Sequence, residues 1–225
     1  MDILCIGDSL TYGYGVGRPH TWCAIASQLT GHRFINLGVN GATTGEMLDG
    51  LEDALSRHAA NLEAADVPAG GLFAQGTSAQ SAPSTASATA HGTPPPPCTH
   101  PRGGLFVMGG LNDLFMGMPI AAPLRHVRAI CERARQAGLA PAVGLPMQIS
   151  EQVSEGWCEG PVDMALVRAA YTDFAGALLV QCREDDVPVL DFRPLLGPAD
   201  LGYDGVHLNR LGHQHMADAV ADFWR

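Results

Sequence analysis

Short apolar segments bounded by Gly, Pro or polar residues recur along the chain, and this pattern is typical of buried β-strands. Longer stretches between them carry apolar residues at helical spacing, several with Pro or Thr near the start and Gly near the end. The predicted strands cover residues 3–6, 34–37, 105–108, 141–145 and 187–190. The predicted helices cover residues 21–29, 44–64, 123–137, 161–183 and 210–224.

This alternation of strands and helices predicts an α/β fold. The expected architecture is a doubly wound, three-layer α/β/α arrangement around a mainly parallel sheet of five strands. A length of 225 residues, 46% of them hydrophobic, suits one domain spanning residues 1–225. Ligands of such folds bind at the carboxyl ends of the strands, so residues that directly follow a strand are the first functional candidates.

One segment, at about residues 67–101, breaks the pattern. It contains no Asp, Glu, Lys or Arg and is dominated by Ala, Ser, Thr, Gly and Pro, including four consecutive prolines at 94–97. Few large apolar groups are available to offset the entropy of ordering it, which predicts a flexible insertion. It follows a predicted helix and precedes the third strand, away from the ligand-binding edge. We interpret it as a tolerated surface insertion; a regulatory or tethering arm is the alternative.

Charge and composition narrow the class of protein. The formal net charge is −10, and the 13 basic residues are scattered, which argues against a nucleic-acid partner. No secretion signal is visible at the N-terminus and no apolar run reaches membrane-spanning length, so a cytoplasmic location is expected. The six cysteines lack the paired short spacings of a zinc site and are expected to be free thiols.

The first strand ends in Gly7-Asp8-Ser9-Leu10. A serine at the point where a parallel strand turns into the next segment stands at the carboxyl edge of the sheet, accessible to a ligand. Gly7 allows a sharp backbone turn there. Ser9 is therefore a candidate nucleophile, although an Asp-Ser turn that only satisfies backbone donors is an alternative.

Near the other end of the chain, Asp204 precedes His207 by three residues. This spacing can bring the carboxylate beside the imidazole, where it would orient the ring and stabilise its protonated form. His207 would then accept the proton of Ser9. A capping Asp and a surface His form the alternative interpretation.

Two further loops, each directly after a predicted strand, carry candidate oxyanion donors. Gly41 follows the second strand, and a glycine there lets a backbone N–H approach a substrate carbonyl without a side chain in the way. Asn112 follows the third strand, and its amide can supply another donor. Gly41 as an ordinary turn and Asn112 as a helix cap are the alternatives.

These four segments, in this order, resemble the four sequence blocks of the GDSL or SGNH hydrolase family. The first block is matched at residues 7–10, the second at 36–44, the third, Gly-x-Asn-Asp, at 110–113, and the last, Asp-x-x-His, at 204–207. The resemblance spans residues 1–225 apart from the insertion, which the family pattern does not contain.

The resemblance implies a flavodoxin-like SGNH hydrolase fold and a serine esterase that needs no metal and no cofactor. It implies a catalytic triad of Ser9, Asp204 and His207 and an oxyanion hole of Ser9, Gly41 and Asn112. Gly38 is the alternative to Gly41. An acyltransferase or deacetylase of the same family, and a catalytically silent binding protein, are the alternative functions.

The substrate is expected to be a small-molecule ester. Residues near the catalytic edge supply adaptable apolar surface, and glutamates in the loop after the fourth strand disfavour strongly anionic substrates. Together they predict neutral esters with short- to medium-chain acyl groups. The substrate-pocket candidates are Leu10, Leu111, Met147, Trp157 and Val206.

Overall fold

The computed structural model of this chain describes residues 1–65, 103–151, 153 and 162–225. Five parallel strands form one sheet in the order β2-β1-β3-β4-β5. The strands are β1 (Asp2–Gly7), β2 (Arg33–Asn36), β3 (Gly103–Met108), β4 (Leu139–Leu145) and β5 (Val189–Asp191). The predicted five-stranded parallel sheet is confirmed.

Helices cover both faces of this sheet. On one side α2 packs against α8, and elsewhere α6 packs against both α3 and α7. The helices are α1 (Ser9–Tyr12), α2 (Trp22–Thr30), α3 (Thr44–Asp49), α4 (Leu51–Ala65), α5 (Leu111–Phe115), α6 (Ala121–Gln136), α7 (Met164–Glu184) and α8 (Arg210–Phe223). The three-layer, doubly wound arrangement predicted from the sequence is therefore confirmed.

The prediction of one helix over residues 44–64 is wrong, because the chain forms α3 and α4 there. Thr43 and Glu46 form a reciprocal capping box that starts α3. Gly50, a residue of low helix propensity, separates the two helices and donates its N–H to the Glu46 carbonyl at 3.0 Å. Helix α7 also begins later than predicted, since the Asp163 carboxylate caps it by accepting the N–H groups of the following turn.

The strand order places the functional loops next to one another. β1 lies between β2 and β3, so the segments that follow these three strands meet at one edge of the sheet. All of β3 is buried, and β1 is buried except for Asp2, so the base of this edge is rigid. Trp22, which is fully buried, donates its indole N–H to the Leu10 carbonyl at 3.1 Å and ties α2 to α1.

Several sequence predictions fall on parts of the chain outside the described residues. These are the insertion at 67–101 and the pocket candidate Trp157, while the single-domain prediction for residues 1–225 stays a prediction. Of the cysteines, those in the described ranges are buried free thiols.

Within the described part of the chain, no helix is both long enough and apolar enough to cross a membrane.

Candidate active site

A tight turn at the end of β1 presents Ser9. The Asp8 carboxylate accepts the Leu10 N–H at 2.9 Å and caps the single helical turn that Ser9 begins. A Cβ atom on Gly7 would lie only 2.2 Å from the Thr11 hydroxyl oxygen, so the turn requires glycine at this position. Ser9 therefore stands partly exposed at the sheet edge, above a buried aspartate.

A second loop, between Leu201 and Leu208, carries the acid and the base. These two leucines form an antiparallel bridge that closes the loop, and the Gly202 N–H donates to the His207 carbonyl at 2.7 Å. The Asp204 carboxylate lies inside the loop, where its Oδ1 accepts the N–H groups of Val206 and His207 at 3.0 and 2.9 Å. The loop thus holds the carboxylate through the backbone as well as through the imidazole.

The two loops bring Ser9, His207 and Asp204 into one hydrogen-bonded line. His207 Nε2 lies 2.8 Å from Ser9 Oγ, and His207 Nδ1 lies 2.7 Å from Asp204 Oδ2. A carboxylate can only accept, so Nδ1 carries the proton and Nε2 is left to accept from the serine hydroxyl. Three residues singled out in the sequence, two of them 198 positions apart, therefore form a Ser-His-Asp arrangement.

The Asp204 carboxylate is held in its charged form. Burial acts to raise its pKa, but hydrogen bonds from the His207 ring and from the N–H groups of Val206 and His207 outweigh burial, and the pKa is lowered. The carboxylate beside the imidazole is consequently an anion at neutral pH. It is suited to favour a positive charge on the ring.

The pKa of Asp8, next to the nucleophile, is shifted in the opposite direction. Its carboxyl is 2% exposed, and burial raises its pKa to about 7, with the charge of Asp113 acting in the same direction. The hydrogen bond from the Leu10 N–H only partly offsets this effect. Asp8 therefore shapes the turn under Ser9 and lies beside a second buried carboxyl.

The candidate oxyanion loops lie on either side of the Ser9 turn. Gly41 is exposed, with a left-handed φ of +76° and open space where a Cβ would be. The Asn112 side-chain amide donates one hydrogen to the Ala42 carbonyl at 2.9 Å, which fixes its orientation beside Gly41. A primary amide is planar and has two N–H groups, so this bond also fixes the direction of the second hydrogen on Asn112 Nδ2.

Gly38, the alternative to Gly41, has a different environment. Its N–H already donates to the Asn36 side-chain oxygen at 3.0 Å. A Cβ on Gly38 would lie 2.3 Å from the Tyr12 backbone nitrogen, so the residue allows two backbone segments to approach closely.

A buried polar network joins these loops to α6. The Thr44 N–H and hydroxyl donate to the Asp113 carboxylate at 2.9 and 2.7 Å, and His126 Nδ1 lies 3.0 Å from the same hydroxyl. Thr44 and Asp113 are fully buried. One residue without a sequence signal is Tyr14, whose ring centroid lies 4.4 Å from that of His207.

The substrate-pocket candidates from the sequence are mostly core residues. Leu10, Leu111 and Val206 are at most 5% exposed and belong to the hydrophobic core. Met147 is also buried and lines a cavity of about 340 Å³ that Arg193 borders as well. Contact of these four residues with a substrate stays a prediction.

Two larger cavities border the candidate site. One, of about 490 Å³, is lined by Gly38, Gly41, Ala42 and side chains of α3 and α4. The other, of about 430 Å³, is bordered by Tyr14, Tyr203, Asp204 and His207. The site thus has a cavity on its Gly41 side and another beside the imidazole. Among the described side chains, His, Cys, Asp and Glu form no group of three that could hold a metal ion.

Comparisons with known proteins find the same fold. One similar structure is a G-D-S-L family lipolytic protein from Veillonella parvula DSM 2008, with 21% identity, a TM-score of 0.68, and coverage of 99% of this chain and 97% of that chain. Another is the native aryl esterase of M. smegmatis, with 14% identity, a TM-score of 0.71, and coverage of 100% of this chain and 98% of that chain. A third is a carbohydrate acetylesterase from Sinorhizobium meliloti, with 15% identity, a TM-score of 0.68, and coverage of 99% of this chain and 97% of that chain. No relative is found among curated protein sequences.

The GDSL-like lipase/acylhydrolase family provides the match in sequence. Its model aligns with residues 5–215, a range that contains all four sequence blocks. The similar structures share the α/β fold over the whole length of the chain. The chain therefore belongs to the GDSL-like lipase/acylhydrolase family of hydrolases.

Proposed function

We propose that this protein is a serine-dependent carboxylic ester hydrolase that works through an acyl-enzyme on Ser9. The observation that carries the proposal is the line of hydrogen bonds from Ser9 Oγ through His207 to Asp204, at 2.8 and 2.7 Å. Family membership supports hydrolysis, and the esterases among the similar structures support an ester as the bond that is cleaved.

In the first step, Ser9 Oγ attacks the ester carbonyl carbon while His207 Nε2 takes the hydroxyl proton. The 2.8 Å distance between these two atoms is within the range needed for proton transfer. The imidazolium then gives the proton to the leaving alkoxide, which departs as the alcohol. Water repeats the sequence on the acyl-enzyme and releases the carboxylic acid and free Ser9.

The Asp204 carboxylate orients the imidazole and stabilises its positive charge during both steps. Its lowered pKa supports this role, because the carboxylate stays ionised wherever the imidazole can act as a base. The hydrogen bonds from the Val206 and His207 backbones hold the carboxylate independently of the ring. Asp204 is therefore an orienting group that keeps its own position through catalysis.

The negative charge that develops on the carbonyl oxygen needs hydrogen-bond donors that are already in place. We assign the N–H groups of Ser9 and Gly41 and the free hydrogen of the Asn112 amide to this role. The engagement of the Gly38 N–H with Asn36 supports Gly41 rather than Gly38 as the donor. The bond from Asn112 to the Ala42 carbonyl supports a fixed amide.

The substrate we propose is a neutral ester with a short- to medium-chain acyl group. The cavity on the Gly41 side has apolar walls, including Leu37, Val39 and Met47, and its volume of about 490 Å³ suits a small ligand. The carboxylates of Glu46 and Asp53 also line it, together with Arg57, which pairs with Asp53 at 2.8 Å. Two carboxylates against one guanidinium leave the lining net negative, which disfavours an anionic chain. Both features support an uncharged acyl chain of modest length.

Hydrolysis of p-nitrophenyl esters from acetate to decanoate tests this function. The wild-type protein is expected to be active with a maximum at short or medium chains, and His207→Ala to lose about 10⁴-fold in kcat. Ser56→Ala changes an exposed serine on α4 and serves as the matched control, with unchanged turnover expected. Full activity of His207→Ala would contradict the mechanism. Absence of turnover across this neutral series, in a wild-type protein that hydrolyses an anionic ester assayed beside it, would contradict the substrate class.

A further inference from the structure

The Tyr14 ring lies against the His207 ring. Their centroids are 4.4 Å apart and their planes are inclined by 40°. Tyr14 is 44% exposed, whereas His207 is only 8% exposed, so the tyrosine lies between part of the imidazole and the solvent. This contact is outside the line of hydrogen bonds that defines the triad.

The backbone ties Tyr14 to the nucleophile. The N–H groups of Gly13 and Tyr14 both donate to the Ser9 carbonyl at 3.0 Å. The flanking Gly13 and Gly15 have φ values of +88° and +85°, a left-handed conformation that glycine adopts without strain. Tyr14 is therefore held at a fixed place relative to Ser9 while its ring contacts the base.

Hydrogen bonds that lie near the ring plane resist an out-of-plane tilt of the imidazole less well than a displacement within the plane. A side chain packed against the ring opposes this tilt. The face of a tyrosine ring also attracts a cation, so the contact becomes more favourable when His207 is protonated during the reaction. Both effects act through the aromatic ring and need no hydroxyl group.

We propose that Tyr14 is a positioning residue that keeps the His207 imidazole in the orientation bonded to both Ser9 and Asp204. The inference rests on the proposed function, because it concerns the base of that mechanism. It assigns a role to the glycine-flanked segment Gly13–Gly15, which the four family blocks leave without one. Tyr14 acts through His207 and takes no part in bond making or breaking.

Kinetics of Tyr14→Ala, Tyr14→Phe and Tyr12→Ala with p-nitrophenyl butyrate test this role. Tyr14→Ala is expected to lower kcat about tenfold with KM within twofold, because a poorly oriented base affects the chemical step. Tyr14→Phe keeps the ring contact and is expected to restore kcat to within about twofold. Tyr12 is a matched control, since it is 51% exposed and lies two positions away.

A spectroscopic measurement separates positioning from a general structural effect. The proton shared by His207 Nδ1 and Asp204 should give a far-downfield proton resonance in the wild type and in Tyr14→Phe. In Tyr14→Ala that resonance is expected to broaden through exchange with water, while Tm stays within a few degrees because Tyr14 is not a core residue.

Two results would overturn the inference. One is wild-type kcat with a sharp resonance in Tyr14→Ala, and the other is a raised KM at unchanged kcat, which would make Tyr14 a substrate contact. Ser9→Ala is measured in parallel to keep the two proposals distinguishable. If Ser9→Ala remains active, the proposed function fails; if it is inactive while Tyr14→Ala is normal, only the role of Tyr14 fails.

Discussion

Thr44 and Asp113 join the two loops that flank the nucleophile. The Thr44 N–H and hydroxyl both donate to the Asp113 carboxylate, at 2.9 and 2.7 Å, and both residues are fully buried. Because β2 and β3 lie on opposite sides of β1, this pair of bonds spans the end of the strand that leads to Ser9. The loops that hold Gly41 and Asn112 are thereby fixed relative to each other.

Removal of the Thr44 hydroxyl is expected to weaken this connection. Thr44→Val keeps the shape and the backbone N–H but leaves one Asp113 oxygen and His126 Nδ1 without the hydroxyl that they contact. An unsatisfied buried acceptor costs about 1–3 kcal/mol, so the free energy of unfolding measured with urea should fall by that amount. We also expect kcat to fall several-fold as the Asn112 loop loosens.

The matched control is Thr172→Val, which removes an exposed helical hydroxyl bonded to the Arg168 carbonyl. Its free energy of unfolding should change by less than about 0.5 kcal/mol. If both substitutions lowered the free energy of unfolding equally, the buried bonds between Thr44 and Asp113 would stabilise the fold no more than an exposed helical hydroxyl does.

The two glycines of the β2–α3 loop should respond differently to alanine. In Gly38→Ala the new Cβ would meet the Tyr12 backbone nitrogen at 2.3 Å, so two backbone segments must separate and Tm should drop sharply. In Gly41→Ala the Cβ has open space, and only the left-handed φ of +76° is unfavourable, by about 1–2 kcal/mol.

For the protein that remains folded, the loss of activity should follow the reverse order, with Gly41→Ala losing more than Gly38→Ala. Gly41→Ala is expected to stay folded and to lose at least about tenfold in kcat, because strain at this position moves the proposed oxyanion donor. Thermal melts and ester hydrolysis at 15 °C would report both effects. A stable, fully active Gly41→Ala would argue against an oxyanion role for this residue.

His213 contributes a loss of stability in mild acid, which opposes the gain that the raised pKa of Asp8 contributes over the same range. Burial, followed by the charge of His207, lowers its pKa from the ordinary value of 6.5 to about 4. The unfolded chain therefore binds a proton at higher pH than the folded chain does. The stabilising effect of the neutral form is fully present above pH 6.5 and decreases as the pH falls from 6.5 towards 4.

Urea unfolding at several pH values between 4.5 and 7 measures this slope. The glutamine of His213→Gln can still accept the backbone N–H of Trp22, which His213 Nδ1 accepts at 3.3 Å. The slope due to His213 should disappear in this variant. His32→Gln alters a partly exposed histidine directly before β2 and should keep the wild-type slope. An unchanged slope in His213→Gln would contradict the assignment.

Much of the fold could be predicted because strand and helix periodicities are strong in this chain. The predicted strands overlap all five observed strands, but β3 and β4 begin two residues earlier than predicted and β5 begins two residues later, at Val189, directly after Pro188. The break at Gly50 was missed, because a single glycine within an amphipathic stretch is often tolerated in a helix. Local patterns therefore located the elements better than their ends.

The residues of the candidate site also fall into those that the sequence could predict and those that it could not. Ser9 stands in a short motif directly after β1, and His207 stands in another shortly before α8, so their meeting at the sheet edge could be inferred. Tyr14 and His126 lie in no such motif, and their contacts with His207 and Thr44 depend on how separate elements pack. Packing across the sheet edge is set by the tertiary structure, which spacing along one chain does not encode.

Mass spectrometry of the protein after treatment with a fluorophosphonate identifies the nucleophile directly. One covalent adduct per wild-type chain is expected, located on the peptide that contains Ser9, together with loss of esterase activity. Ser9→Ala should form no adduct, and Ser56→Ala should be labelled like the wild type. Ester hydrolysis that survives in Ser9→Ala, or a wild-type adduct on another serine, would contradict the assignment of Ser9 as the nucleophile.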